Sequence, residues 1–349
     1  MKIVSAASAY PKHYYSQDVL ASAFAAYWGP QLGNPQMVER LHSRVGVDGR
    51  YLALPMDGYL ALNGWGDANN AWIQVAEELG QTAICGALAR SGLEAADIGA
   101  LIFVSITGVS SPSIDARLVN RMHLSPHIRR TPIFGWGCVG GAAGLARAAD
   151  YVRAYPSHVA ALLSVEICSL TLQKDDLSVA NMISSGLFGD GAVSVLVAGA
   201  DCDLPGVEIL DSRSFFYPGT EDVMGWDISE KGFRIVLSPQ VPEVIREHLG
   251  KDVDSFLTDH GLTRENIGCW LVHTGGPKVL EAARDALGLN DDDVAVSWDC
   301  LRQTGNLSSA SVLAVLEEVM LHRRPAPGTW SVLAAMGPGF CAELLLLRW

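Results

Sequence analysis

Three residues of chemically capable types stand at glycine-rich junctions. They are Cys138 in Gly-Trp-Gly-Cys-Val-Gly-Gly-Ala-Ala-Gly (135–144), His273 in Val-His-Thr-Gly-Gly-Pro (272–277) and Asn306 in Thr-Gly-Asn-Leu-Ser-Ser (304–309). A cysteine attacks as its thiolate, and with a pKa of about 8.5 a free thiol is only a few per cent ionised at neutral pH; a helix N-terminus or a histidine partner makes it reactive. The Ala-rich run after Cys138 predicts such a helix, with Gly140 and Gly141 letting the backbone turn tightly just after the thiol. The competing reading is a small buried cysteine in a helix–strand contact. His273 closes the apolar run Trp270-Leu-Val and precedes a glycine turn, a place from which an imidazole can face a cavity, although a hydrogen-bonded core histidine would look the same. Asn306 precedes an apolar helical run and could equally be an N-cap. Together the three supply a nucleophile, a proton partner of adjustable charge and an oxyanion donor that does not titrate.

The elements that must position them come as a repeat. Gly92-Leu-Glu-Ala-Ala-Asp-Ile-Gly99 leads into the apolar run Ala100 to Ile106, and Gly261-Leu-Thr-Arg-Glu-Asn-Ile-Gly268, 169 residues later, leads into Cys269 to Val272 and then His273. A second pair fits the same scheme, since Leu187-Phe-Gly-Asp-Gly191 precedes an apolar strand as Met336-Gly-Pro-Gly-Phe340 does. Strands at Val159 to Val165 and Trp330 to Ala335 alternate with helices at Gly140 to Arg153 and Ser308 to Leu321. The expectation is a layered α/β fold made of two duplicated halves, residues 1–205 and 206–349, with a seam at Ala200 to Gly206. Ahead of the first repeat, Lys2 to Ser8 reads as a strand, Gln17 to Trp28 as a helix broken by the stretch Pro30 to Pro35, Leu41 to Tyr51 as a cation-rich loop, and Asn69 to Arg90 as a helix.

Composition narrows the function. The net charge is −13 and no basic run exceeds Arg129-Arg130 or Arg323-Arg324, which argues against nucleic acid or an anionic membrane as partner. The seven cysteines show no zinc-like spacing, so no metal is expected, and they fit reduced thiols in a cytoplasmic protein. The N-terminal apolar segment is too short and polar for a signal peptide, and no stretch is long enough to span a membrane.

With these motifs in order, Gly137-Cys138-Val-Gly-Gly, Leu187-Phe-Gly-Asp-Gly-Ala192, Val272-His273-Thr-Gly-Gly-Pro277, Gly305-Asn306-Leu-Ser-Ser-Ala310 and Gly337-Pro-Gly-Phe340, the chain resembles the type III polyketide synthases, the chalcone-synthase-like group. The resemblance implies a thiolase fold of duplicated αβαβα layers, coenzyme A thioesters as substrates, no cofactor and a homodimer, with Ser111-Pro112 in the stretch that crosses toward the partner's cavity. It also implies roles. Cys138 carries the acyl chain, and His273 and Asn306 hold the thioester oxygen of malonyl-coenzyme A while it decarboxylates. Phe188 matches a gatekeeper between coenzyme A tunnel and cavity, and Arg40 and Arg44 fall where the family binds coenzyme A phosphates.

The same alignment places Thr107, Cys168, Thr171 and Ile235 on the cavity wall, Ile235 standing where plant enzymes have a second gatekeeper phenylalanine. Small residues such as Thr107 and Cys168 open an alkyl tunnel in bacterial members that take fatty acyl starters. At about 0.8 kcal/mol per buried CH₂, ten methylenes could contribute up to ~8 kcal/mol before ordering costs. The first expectation is therefore an alkylpyrone or alkylresorcinol synthase using long-chain acyl-coenzyme A. The alternatives are a malonyl-only synthase of tetrahydroxynaphthalene, suggested by the 113–121 and 166–171 segments, a ketoacyl synthase of fatty-acid initiation, and an inactive thiolase-like scaffold.

Overall fold

The computed structural model of the chain describes residues 1–34 and 36–349. The chain runs through β1 (Lys2–Ala9), β2 (His13–Ser16), α1 (Gln17–Leu32), α2 (Gln36–His42), β3 (Gly49–Leu52), α3 (Met56–Leu60) and α4 (Trp65–Ser91) to β4 (Ile98–Val104), α5 (Ile114–Arg121), β5 (Arg129–Ile133), α6 (Gly140–Ala154), β6 (Val159–Ile167), α7 (Val179–Leu187) and β7 (Asp190–Ala198). After β8 (Val207–Phe216) come the hairpin of β9 (Met224–Ser229) and β10 (Gly232–Leu237), then α8 (Val241–Thr258), β11 (Ile267–Val272), α9 (Pro277–Leu287), α10 (Ala295–Thr304), α11 (Ser311–His322), β12 (Trp330–Gly337) and β13 (Cys341–Arg348).

The duplication is written into one nine-stranded sheet of order β11-β12-β13-β8-β1-β7-β6-β4-β5. In the first half β4 pairs parallel with β6, which pairs antiparallel with β7, which pairs antiparallel with β1. In the second half β11, β12, β13 and β8 repeat those relations. Even the irregularities match: register slips between Ile98 and Ala100 and between Ile267 and Cys269, each just after a short 3₁₀ turn closed by a capping box, Glu94 with Asp97 and Thr263 with Asn266. The halves meet where Lys2 and Ile3 of β1 face Glu208 and Val207 of β8.

Three apolar clusters define the layers. One joins α6 and α11 to strands of both halves through Leu145, Leu162, Leu313 and Leu333; a second packs α4 on β1, β6 and β7; a third packs α8 and α9 on β11 and β12. The order is helix, strand, helix, strand, helix, as the repeat implies. Because β6 and β7 are covered on both faces, every residue in them is buried, and so they read as continuous apolar runs.

The N-terminal segment departs from expectation. α1 continues through Pro30 to Leu32 and stops at Gly33, whose φ is 63°. Proline removes the bond to the carbonyl four residues back, but that residue, Ala26, is exposed and water can replace the bond. Pro35 lies outside the described residues. The 41–51 segment is no free cationic loop, since it holds the end of α2 and most of β3, and Arg50 in β3 is only 1% exposed.

Candidate active site

Cys138 lies in a single 3₁₀ turn, Gly137–Val139, that runs directly into α6. The sharp turn is made before the thiol, not after it: Gly135 and Gly137 have φ of 96° and 53°, values a side chain resists. Gly140 and Gly141 are helical, and their missing side chains serve close packing instead. A Cβ on Gly141 would stand 2.0 Å from the Ser309 carbonyl oxygen, and one on Gly140 2.8 Å from Val104. The Cys138 turn is thereby pressed against the segment that follows Asn306.

Strand β12 brings His273 to the same place. The His273 N–H donates to Ala334 O at 3.0 Å, and further along that strand Gly337 lies so near the turn that a Cβ would meet Val139 N at 2.6 Å. Asn306 enters from the other side through a parallel bridge to Phe188: Asn306 N donates to Leu187 O at 2.9 Å and Gly189 N to Asn306 O at 3.0 Å. Its Oδ1 accepts from Ser308 N at 2.8 Å and Ser311 Oγ at 3.1 Å, which fixes the amide flip and leaves Nδ2 as a donor on the side of Cys138. Ser308 in turn sits 3.8 Å from Cys138 Sγ. Asn306 therefore does more than cap a helix.

All three groups are buried, Cys138 at 6%, His273 at 2% and Asn306 at 1% exposure. Burial pushes the Cys138 thiol up to about 12; the Ser308 hydroxyl and Asn306 amide oppose that, and the Glu166 charge adds to it. Burial likewise holds the His273 imidazole down to about 4, and neither ring nitrogen has a hydrogen-bond partner among the described residues. With the thiol held so high and the imidazole so low, each group alone is neutral at pH 7.

Beside them lies a carboxyl the sequence reading passed over. Glu166, at the end of β6, accepts from Thr107 Oγ1 at 2.9 Å, Ile106 N at 3.2 Å and Ser105 Oγ at 3.3 Å, and from Ser309 Oγ. Burial raises it to about 7 against those donors. The signal was there: a lone acid in an otherwise uncharged, largely apolar strand.

Cys168, Thr171, Phe188 and Ile235 do come together, on the wall of a cavity of ≈ 530 Å³. Leu20, Phe24 and Tyr27 of α1 form its far side. Thr107 is not part of that wall: it is 3% exposed, and besides Glu166 its hydroxyl meets Ile167 N at 2.9 Å and Trp72 Nε1 at 3.2 Å. Asn306 and Cys138 adjoin the cavity through Phe188, bridged to Asn306, and through Cys168, whose thiol is pushed up by burial first and then by its charged neighbours Glu166 and Asp190. Arg40 and Arg44 are exposed, and no carboxylate pairs with either among the described residues.

The chain is similar to known proteins along almost its whole length. Models of the chalcone and stilbene synthases match it, the N-terminal domain over residues 67–202 and the C-terminal domain over 208–349. It is 49% identical over 345 residues to the 1,3,6,8-tetrahydroxynaphthalene synthase of Streptomyces peucetius subsp. caesius, covering 98% of this chain and 91% of the relative. It is 33% identical to the 3,5-dihydroxyphenylacetyl-CoA synthase of Streptomyces toyocaensis, with coverage of 100% and 90%. The crystal structure of 1,3,6,8-tetrahydroxynaphthalene synthase from Streptomyces coelicolor A3(2), a bacterial type III polyketide synthase, superposes with a TM-score of 0.94 at 30% identity, covering 100% of this chain and 99% of that one.

Proposed function

The chain belongs to the chalcone and stilbene synthase family of type III polyketide synthases, and from that premise we propose that it condenses malonyl-coenzyme A alone, five units to a chain, into a tetrahydroxynaphthalene-type product. The observation that carries this reading is the 49% identity, over 98% of the chain, to a relative of that activity. The family match favours coenzyme A thioesters over the carrier protein of a ketoacyl synthase, and a complete Cys, His, Asn set disfavours an inert scaffold.

Cys138 gives its proton to His273 and attacks the first thioester, and coenzyme A leaves with a proton. His273 and the Nδ2 of Asn306 then hydrogen-bond the carbonyl oxygen of an incoming malonyl thioester. Loss of CO₂ leaves an enolate at that oxygen, and in a dry site one such donor is worth about 10²–10³ in rate. The enolate carbon attacks the acyl-Cys138 carbonyl, and the lengthened chain returns to Cys138. Arg40 and Arg44 are assigned to the coenzyme A phosphates because they are exposed and, among the described residues, unpaired by carboxylates in a protein that is acidic overall. We assign the edge strand β5, flanked by exposed Phe134 and Trp136, to contact with a second copy.

One observation favours a second reading, a long-chain acyl starter. The cavity reaches from Cys168 to α1, and Leu20, Phe24, Leu172 and Ile235 give it an apolar wall suited to an alkyl chain. Mass spectrometry of products from malonyl-coenzyme A alone, and with acyl-coenzyme A starters of graded length, separates the two. A pentaketide aromatic from malonyl-coenzyme A alone supports the first reading; products only when a long starter is supplied overturn it.

A further inference from the structure

The cavity wall also carries two hydroxyl groups whose hydrogen bonds lead out of it to a buried carboxyl group. Tyr59 of α3 and Ser169 both line it, with the Tyr59 Oη and Ser169 Oγ 2.6 Å apart. Ser169 Oγ donates in turn to Oδ2 of Asp190, a carboxylate that is fully buried and takes no part in the cavity wall. A hydroxyl has one hydrogen, so with Ser169 donating to Asp190 it must be Tyr59 that donates to Ser169. The Leu54 N–H donates to the Tyr59 oxygen at 3.2 Å and uses one lone pair, leaving a second as the open end of the chain.

Asp190 also has a plain structural duty. It accepts the Ser169 N–H at 2.8 Å and the Ala53 N–H at 2.7 Å, which ties the end of β6 and the segment after β3 to β7. Those two bonds do not need the Ser169 hydroxyl or Tyr59. The hydroxyl chain to the cavity is an addition to them.

We infer that Tyr59, Ser169 and Asp190 form a proton relay that serves as general base for carbon–carbon ring closure of the Cys138-bound polyketide. The inference rests on the polyketide reading given above. A hydrogen on a carbon between two carbonyls passes as a proton to the Tyr59 oxygen while the Tyr59 proton moves to Ser169 Oγ and the Ser169 proton to Asp190 Oδ2. The electron pair of the broken C–H bond becomes an enolate and attacks a carbonyl carbon of the same chain. The alkoxide so formed takes the proton back along the same three oxygens, so relay and charge are restored. Tyr59 is the catalytic residue of the set, because only it and Ser169 face the cavity; Asp190 acts through them.

The charged and titratable groups facing Asp190 are Arg50 from β3, Tyr59 from α3 and Cys168 beside Ser169. Burial raises the Asp190 carboxyl to about 6, against the Ser169 and Ala53 donors and the Arg50 charge. Base function therefore switches on as pH rises through that value.

The test is the ratio of carbon-closed aromatic products to lactones made from malonyl-coenzyme A, measured within single reactions from pH 5 to 8. In Ser169→Ala and Tyr59→Phe the ratio should fall at least about tenfold, below the 10²–10⁴ a general base usually supplies. Wild type should show the ratio rising through about pH 6, Ser169→Ala should be flat, and Ser169→Thr, which keeps the hydroxyl, should restore both. Variants that melt like wild type yet keep its ratio and pH profile overturn the relay alone. Wild type that makes no carbon-closed product overturns the malonyl-only reading and the relay with it.

Discussion

Phe188 and Asn306 are joined backbone to backbone, so the residue at the cavity wall and the amide donor beside Cys138 share one mechanical unit. Two glycines permit the join: a Cβ on Gly189 would meet Thr304 O at 2.2 Å, and one on Gly305, whose φ is 72°, would meet Leu187 O at 2.6 Å. Gly305→Ala is expected to strain this bridge by about 1–3 kcal/mol, lowering the melting temperature and turnover together. Unchanged turnover would mean that Asn306 does not depend on Phe188 for its position.

Asn306→Asp isolates the donor. An aspartate keeps the oxygen that Ser308 N and Ser311 Oγ use but offers no N–H to the thioester. Malonyl decarboxylation, followed as CO₂ release, should drop about 10²–10³-fold; a drop below tenfold would remove Asn306 from the oxyanion role.

For the nucleophile, His273→Gln deletes the proton acceptor while burial still holds the Cys138 thiol high. Alkylation of Cys138 at pH 7, read by peptide mass, should slow by at least about 100-fold, in line with a thiol denied its base. Equal rates in variant and wild type would leave His273 no part in activating the sulfur.

Stability should respond to acid in opposing ways. His42 and His273 are held down to about 4 by burial, so the unfolded chain binds more protons between their ordinary 6.5 and that value. Their contribution is complete above pH 6.5 and lost toward pH 4. Glu166, raised to about 7, does the reverse, the folded state binding more protons from its ordinary 4.5 upward. Glu166→Gln removes that offset, and its melting temperature should fall more steeply than wild type between pH 7 and pH 4.5. Parallel curves would show that Glu166 ionises freely in the fold.

Cys168→Phe tests the cavity from the side where an alkyl chain would lie. If the wall selects the starter, the longest accepted acyl group should shorten by several carbons in a starter series; an unchanged series would rule out that path. Thr107→Phe cannot serve, because Thr107 is bound to Glu166, Ile167 and Trp72 rather than open to the cavity.

The repeat, the layers and the glycine-rich junctions that carry Cys138, His273 and Asn306 were legible because each leaves a local mark. A doubly covered strand is a continuous apolar run, a strained turn needs glycine, and duplicated caps repeat in spelling. What sequence could not show lies in distance. Arg50 reads as one more cation in a basic stretch, yet it is buried, donates to Phe188 O at 3.0 Å and has Asp190 as its charged neighbour. Thr107 fell on the right segment with its side chain turned to the wrong partner. The Tyr59–Ser169–Asp190 chain joins residues 110 and 21 positions apart, a coincidence no window along the sequence contains.

β1 stands between the halves, with Lys2 facing Ala198 on one side and Glu208 on the other. During synthesis β1 must therefore stay unpaired until its neighbours β7 and β8, almost two hundred residues downstream, have left the ribosome. At about 5–20 residues per second that interval is roughly 10–40 s. Throughout it a strand that the fold places between two partners is left without either, so β1 is where holdase chaperones have most to protect.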